Sequence, residues 1–180
     1  MGSQNGRSAG GRSLATPLVR AGVVLGLGFG AFFDGIVFHQ VLQWHHMLSA
    51  HADPAVATDL RLNVLADGLF HVLAYLLTAL GLVLLVRAVR RSTEPVSWRA
   101  LGGGLVAGWG LFNLLEGLVN HQLLGVHHVN PSGPGPTLAW DLAFLAWGAL
   151  FVGLGYAVVR NSPAAETQTA ERASTVESRE

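Results

Sequence analysis

The chain has 180 residues, of which 51% are hydrophobic and only 12% are charged. Such a composition is too apolar for a soluble domain of this length and indicates an integral membrane protein. The chain contains no cysteine, which excludes disulfides, thiolate metal sites, iron–sulfur clusters and cysteine nucleophiles. The formal net charge is zero and no basic run interleaved with aromatic residues occurs, so no nucleic-acid partner is expected.

Four apolar stretches predict four membrane-spanning helices. They occupy about residues 18–38, 64–86, 101–119 and 138–159. Each approaches the ~20 residues needed to cross a ~30 Å hydrocarbon core, and none shows the period-two alternation of a strand. We therefore expect an all-α, integral membrane four-helix bundle in a lipid bilayer.

The two ends of the chain differ in composition from this membrane domain, which is predicted to span residues 17–161. Residues 1–16 are rich in Gly, Ser and Arg, and residues 162–180 are rich in Ala, Thr, Glu and Ser. Segments of this kind bury too little apolar surface to fold. Both are predicted to be disordered cytoplasmic tails.

The arginines predict the orientation of the spans. Ten of the 11 basic residues precede the first span, lie between the second and third, or follow the fourth, and Arg61 is the exception. Because basic residues accumulate on the cytoplasmic side, both termini and the middle loop are expected in the cytoplasm. The loops near 47–62 and 129–137 are then expected on the outer face.

An internal repeat relates the first and third spans at an offset of 82 residues. Each half has the pattern acid-Gly-x3-His-Gln-x-Leu-x2-His-His, and no gap is needed. The aligned pairs are Asp34 with Glu116, His39 with His121, His45 with His127, and His46 with His128. A chance match of so many polar residues within apolar segments is improbable, so two duplicated helical hairpins are predicted, at about 17–90 and 99–161.

The second and fourth spans match less closely, at an offset of 74 residues. Asp67 aligns with Asp141, whereas His71 aligns with Leu145. The two halves are therefore expected to differ in chemistry, and a site formed between them is not expected to be fully symmetric.

The ionisable residues near one end of the spans are candidate metal ligands. An acidic side chain at the centre of a span costs roughly 2.5–3.5 kcal/mol on insertion, and by default such residues mark function. Imidazole and carboxylate without thiolate suit copper, iron or zinc, and the sequence does not rank these metals. The candidates are His39, His45, His46, His71, His121, His127, His128, Asp34, Asp67, Glu116 and Asp141.

Helical phase predicts which histidines meet. At ~100° per residue, His39 and His46 lie about 20° apart on one stripe of an ideal helix. The expected centre is therefore His39, His46, His121 and His128, with Asp67, His71 and Asp141 completing or orienting it. His45 and His127 are expected as often to face water or lipid headgroups as to join the site.

Other functions remain open at this stage. Haem b could be held between His39 and His121 as axial ligands. A proton or ion conductor could instead use Asp34, Glu116, Asp67 and Asp141 as a titratable relay. A structural subunit of a membrane complex is a third alternative, and a homo-oligomer is compatible with the sequence. No serine-nucleophile, phosphate-loop or zinc-protease motif is present, so enzymatic activity stays undecided.

Three signatures carry a family resemblance: FDGIVFHQ at 33–40, QWHHM at 43–47 and EGLVNHQLLGVHHV at 116–129. The chain resembles, over about residues 20–160, a bacterial family of predicted four-span membrane proteins of unknown function. The resemblance implies a bacterial plasma membrane location and the four-span fold, and it supplies no activity. It also implies association with a respiratory or other membrane complex, for example during oxidase assembly.

Overall fold

A computed structural model describes residues 15–91 and 95–161 of the chain. Within these ranges every regular element is helical. The elements are α1 (Ala15–Phe33) with a π-helical continuation (Asp34–Val41), the short α2 (Pro54–Ala57), α3 (Leu60–Arg90), α4 (Trp98–Glu116) with a second π-helical continuation (Gly117–Leu123), and α5 (Thr137–Arg160). The predicted tails fall largely outside the described residues, although α1 already includes the last two residues of the first one.

Four of these helices are long and apolar enough to cross a membrane. They cover Thr16–Val41, Leu60–Arg90, Trp98–Leu123 and Thr137–Arg160. The prediction of an all-α membrane helical bundle is confirmed. The second span begins about four residues earlier than predicted, because the side chain of Asp59 caps the helix by accepting from the backbone N–H groups of Arg61 and Leu62.

Close contact between α1 and α4 forms the centre of the bundle. A Cβ added at Gly26 would overlap the carbonyl oxygen of Leu105, and one added at Gly108 would overlap that of Val23. These two contacts are related by the 82-residue offset. Small residues let helix backbones approach closely in lipid. The outer helices pack on this central pair, α3 against α1 and α5 against α4.

Both central helices change from α to π geometry at corresponding places, at Asp34 and directly after Glu116. The i→i+5 pattern is visible where the N–H of Leu42 donates to Val37 and that of Leu124 donates to Val119, at 2.8 Å each. A π-helical segment is wider than an α-helix and is frequent at functional sites. The angular spacing of an ideal α-helix therefore does not apply to the residues that follow.

Each π-helical segment is followed by a residue with left-handed backbone geometry. Gln43 has φ of 50° and Gly125 has φ of 58°, and the two positions are 82 residues apart. The left-handed region costs an L-residue with a side chain roughly 1–2 kcal/mol, whereas glycine adopts it freely.

We expect the Gln43→Gly variant to be more stable than the parent by about 1 kcal/mol, since the exposed Gln43 is relieved of this strain. Thermal unfolding followed by circular dichroism in detergent measures the change. The matched variant Gly125→Gln introduces the same strain and is expected to lower the midpoint. A shift of the thermal midpoint in the same direction for both variants would contradict the left-handed backbone geometry assigned to these two positions.

Candidate functional site

Four histidines pack together at the end of the bundle where α1 and α4 finish and α3 and α5 begin. His39, His45, His121 and His127 are each no more than 4% exposed. The ring centroids of His39 and His45 are 4.4 Å apart, those of His45 and His127 are 4.7 Å apart, and those of His121 and His127 are 4.9 Å apart. The four rings form one continuous cluster, called here the histidine cluster.

The membership of this cluster differs from the helical-phase prediction. His45 and His127, which were expected as often to meet solvent, lie at its centre, while the side chains of His46 and His128 are 28% and 32% exposed. The difference arises because the π-helical segments end at Val41 and Leu123. The chain is no longer helical where these pairs of histidines occur, so a phase of 100° per residue does not hold.

His45 and His127 are held by a reciprocal exchange between the two loops that follow the π-helical segments. His45 donates from Nδ1 to the carbonyl of Val129 at 2.8 Å, and His127 donates from Nδ1 to the carbonyl of Met47 at 3.0 Å. The two rings lie nearly parallel, at 9°. In a neutral imidazole whose Nδ1 carries the proton, Nε2 presents a lone pair.

The environment of His45 favours this neutral form. Burial lowers the pKa of His45 well below its ordinary value, and the neighbouring His127 and His39 lower it further. A neutral imidazole with a free Nε2 is the form that binds metal ions.

His39 and His121 each lie between two carboxylates. Nδ1 of His39 is 2.8 Å from Asp67 Oδ1, and its Nε2 is 3.3 Å from Asp34 Oδ2. Nδ1 of His121 is 3.5 Å from Asp141 Oδ1, and its Nε2 is 2.9 Å from Glu116 Oε2. The contact with Asp67 is a hydrogen bond, whereas both ring nitrogens of His121 lack an aligned hydrogen-bond partner.

Asp67 joins α3 to the loop after the first π-helical segment. Its carboxylate accepts from Nδ1 of His39, from Nδ1 of His46 at 2.7 Å, and from the backbone N–H of Met47 at 2.8 Å. The side chain therefore fixes the tautomer and the direction of the His39 ring.

Asp141 has the corresponding position on α5. Its carboxylate accepts from Nδ1 of His128 at 2.8 Å and from the backbone N–H of Val129 at 3.0 Å, and it lies beside His121. Both halves of the chain thus use an acid on the outer helix to hold a loop and to face a buried histidine on the central helix.

Several buried polar atoms in this region have no hydrogen-bond partner. They are Asp34 Oδ2, His39 Nε2, His45 Nε2, Glu116 Oε2 and His121 Nε2, in addition to His121 Nδ1. A buried polar group without a partner costs roughly 1–3 kcal/mol, so such atoms are rare and need an explanation.

Two groups of three residues place their ligand atoms within 4.8 Å of one another, His39–His45–His127 and Glu116–His121–His127.

Some predicted residues lie outside the cluster, and some contacts were not predicted. His71 packs against Phe32 and donates from Nδ1 to the carbonyl of Asp67 on its own helix, so it supplies no atom to either group. The carbonyls of Met47 and Val129 were missed, because a backbone acceptor leaves no signal in the sequence. Asn63 was also missed, although its side chain accepts from Leu48 N–H and holds the same loop.

The fold and the site define a multi-pass membrane protein with a buried histidine–carboxylate cluster at one end of its helices. The chain belongs to the family described as Predicted membrane protein (DUF2243), whose family model matches residues 21–162. Comparison with the curated proteins and with the solved structures finds no match.

Proposed function

We propose that the histidine cluster binds a divalent transition-metal ion. One contact supports this most directly: Nε2 of His127 lies 2.7 Å from Glu116 Oε1 while its Nδ1 is engaged by the carbonyl of Met47. An imidazole nitrogen and a carboxylate oxygen at this distance share a cation, either a proton on Nε2, which makes the contact a hydrogen bond, or a metal ion bound by both atoms. First-row ions bind nitrogen and oxygen at ~2.0–2.2 Å, which brings neighbouring ligand atoms to about 3 Å.

The Nε2 atoms of the four clustered histidines are the proposed nitrogen ligands. Asp34 and Glu116 would supply carboxylate oxygens, with Oδ2 and Oε2 both unpartnered and buried. Asp67 and Asp141 would orient the rings from behind, as outer-shell carboxylates commonly do in metal sites. The donor set lacks thiolate and suits copper, iron or zinc.

The balance of charge supports a bound cation. Four buried carboxylates, Asp34, Asp67, Glu116 and Asp141, are 1–6% exposed, whereas every arginine in residues 15–91 and 95–161 is exposed. Buried carboxylates are normally paired or bind metals, and the groups that face these four are histidines, which neutralise them only when protonated. A divalent ion among the rings would offset two of these charges.

A haem between His39 and His121 is less well supported than a metal ion. The space beside both rings is occupied by His45 and His127, whose ring centroids lie 4.4 Å and 4.9 Å from those of His39 and His121 respectively. A porphyrin would have to displace both rings and break their bonds to the loop carbonyls. We therefore favour a single-ion or two-ion centre.

A proton relay across the membrane is also less well supported. Within the described residues, no acidic side chain or histidine occurs in the spans between the level of Asp34, His71 and Glu116 and the arginine-rich end. In that half, α1 and α4 meet through glycines such as Gly22 and Gly26. A titratable pathway would thus end at Asp34 and Glu116.

We further propose that the two halves are copies of one helical hairpin. The matched π-helical segments, the reciprocal histidine–carbonyl bonds and the matched glycine contacts support this view, which adds to the sequence repeat. With the arginine-rich end in the cytoplasm, the site would open toward the outer face of a bacterial plasma membrane. That location suits metal handling or redox chemistry for a respiratory or other membrane complex.

The proposal is tested by metal analysis of the full chain purified in mild detergent without chelators. We expect copper, iron or zinc in stoichiometric amount, retained after gel filtration. The His51→Ala control should keep the metal, because the His51 side chain belongs to neither group of close ligand atoms and accepts from the N–H of Asp53. Protein without metal as purified and without affinity for any of the three ions on titration would refute the proposal.

Asp67→Asn is expected to weaken metal binding by about 10–100-fold, the usual effect of losing an outer carboxylate. The amide retains the size of the side chain but no longer holds Nδ1 of both His39 and His46. Competition with a chromophoric chelator measures the affinity. Asp59→Asn, which alters a helix cap on the same α3, is the control and is expected to leave the affinity unchanged.

A further inference from the structure

The two groups of close ligand atoms share one histidine and are called here the imidazole position and the carboxylate position. They consist of His39–His45–His127 and Glu116–His121–His127, respectively. Nδ1 of His127 donates to the carbonyl of Met47 at 3.0 Å, so the neutral ring has one lone pair for a metal, on Nε2. This lone pair binds one ion. The two positions are therefore alternatives, because His127 cannot serve both of them at once.

The two positions differ in the charge of their ligands. The imidazole position offers three histidines and no carboxylate, and Nε2 of both His39 and His45 is buried without a hydrogen-bond partner. The carboxylate position offers Glu116, whose Oε1 is 2.7 Å from Nε2 of His127 and whose Oε2 is 2.9 Å from Nε2 of His121. An ion thus meets only neutral donors in the first position and an anionic oxygen in the second.

This difference follows from one methylene group in the repeat. Asp34 stands where the other half has Glu116. Among the described residues, the shorter Asp34 pairs with His39 alone, at 3.3 Å, and it belongs to neither position. Glu116 reaches the histidine on its own span and also the loop histidine, His127. The longer acid therefore gives one position an anionic ligand that the other lacks.

Charge separates the ions that suit the two positions. Because the Coulomb energy is proportional to the product of the charges, a divalent ion gains about twice as much as a monovalent ion from the carboxylate of Glu116. Cu(I) is softer and less charged than a divalent first-row ion, and it depends less on hard oxygen ligands. Three imidazoles without a carboxylate therefore suit Cu(I), whereas the carboxylate position suits a divalent ion.

We propose that the histidine cluster has a second mode of binding, in which the imidazole position holds Cu(I) in place of the divalent ion. The divalent ion occupies the carboxylate position, so the inference rests on the proposed function for that ion, while Cu(I) binding requires only His39, His45 and His127. The two ions exclude each other because both need Nε2 of His127. One site thus distinguishes a monovalent from a divalent metal ion.

Zn²⁺ and Cu(I) are the probes, since both have a filled d shell without a geometric preference from d electrons and they differ in charge. The full chain, purified in mild detergent and stripped of metal, is titrated anaerobically with each ion against a chromophoric chelator. Glu116→Gln removes the anionic oxygen of one position. His45→Gln removes a nitrogen of the other and retains an N–H donor toward the carbonyl of Val129. His51 belongs to neither position, so His51→Ala is the control.

Glu116→Gln should weaken the binding of Zn²⁺ and leave the affinity for Cu(I) unchanged, and His45→Gln should do the reverse. Each loss should be about tenfold or more, since even an outer partner of a ligand contributes about 10–100-fold. Retained binding of the second ion shows in each variant that the cluster is folded, and His51→Ala should keep both affinities. Cu(I) added to the zinc-loaded protein should displace zinc one for one, which metal content after gel filtration measures.

Simultaneous retention of zinc and Cu(I) by one chain would overturn the proposal, because His127 can bind only one of them. Equal weakening of the two affinities by each variant would overturn it as well, and so would the absence of Cu(I) binding in protein that binds zinc. Cu(I) binding that depends on His45, in protein without affinity for zinc, iron or divalent copper, would instead refute the divalent centre and leave the imidazole position intact.

Discussion

The His127→Ala variant is expected to lose metal binding more completely than any other single substitution in the cluster. His127 is the residue shared by the two groups of close ligand atoms, His39–His45–His127 and Glu116–His121–His127. Loss of an outer partner typically weakens metal binding 10–100-fold, and loss of a shared ligand should weaken it by more than about 100-fold. Competition titration with a chelator, together with metal content after gel filtration, measures the effect.

Because His127 also donates to the carbonyl of Met47 and stacks on His45, its removal could disturb the loop. His127→Gln retains an N–H donor toward that carbonyl and removes the imidazole, so it separates ligation from folding. We expect native helix content and a near-normal thermal midpoint for His127→Gln, with the same loss of metal. Retention of metal at wild-type affinity by both variants would exclude His127 as a ligand.

The fold was predictable because the bilayer imposes strong rules on sequence. Four runs of near-uniform apolar character required helices, and glycines such as Gly26 and Gly108 allow close packing of those helices in lipid. The acids and histidines that match at the 82-residue offset lie at one end of the bundle. Asp34, His39, Glu116 and His121 are all buried there, and burial of such side chains within a span is costly.

The detailed membership of the cluster was not predictable from an ideal helix. A change from α to π geometry adds a residue to a turn and has no simple sequence signature, so the phase calculation favoured His46 and His128 over His45 and His127. The loops add a second difficulty, because His45 is placed by the carbonyl of Val129, 84 residues away along the chain. Only the assembled fold brings the two loops into contact.

Enlarging the glycines between α1 and α4 is expected to cause the largest loss of stability in the molecule. A Cβ at Gly26 or Gly108 would overlap a backbone carbonyl of the opposite helix, and backbone atoms cannot move aside as a flexible side chain can. Overpacking of a well-packed interface costs typically about 1–3 kcal/mol per site. The free energy of unfolding of the double variant Gly26→Ala/Gly108→Ala should therefore fall by several kcal/mol, which a detergent or SDS unfolding titration measures.

Gly102→Ala and Gly153→Ala are the matched controls, since an added Cβ meets nothing within 4 Å at either position. Both should be neutral or slightly stabilising because alanine favours the helix over glycine.

The double variant also tests how the site depends on the helix interface. Asp34 and His39 reach the cluster from α1 while Glu116 and His121 reach it from α4, so separation of these helices pulls the two sets of proposed ligands apart. Metal affinity should then fall together with stability in the double variant, and it should remain unchanged in both controls.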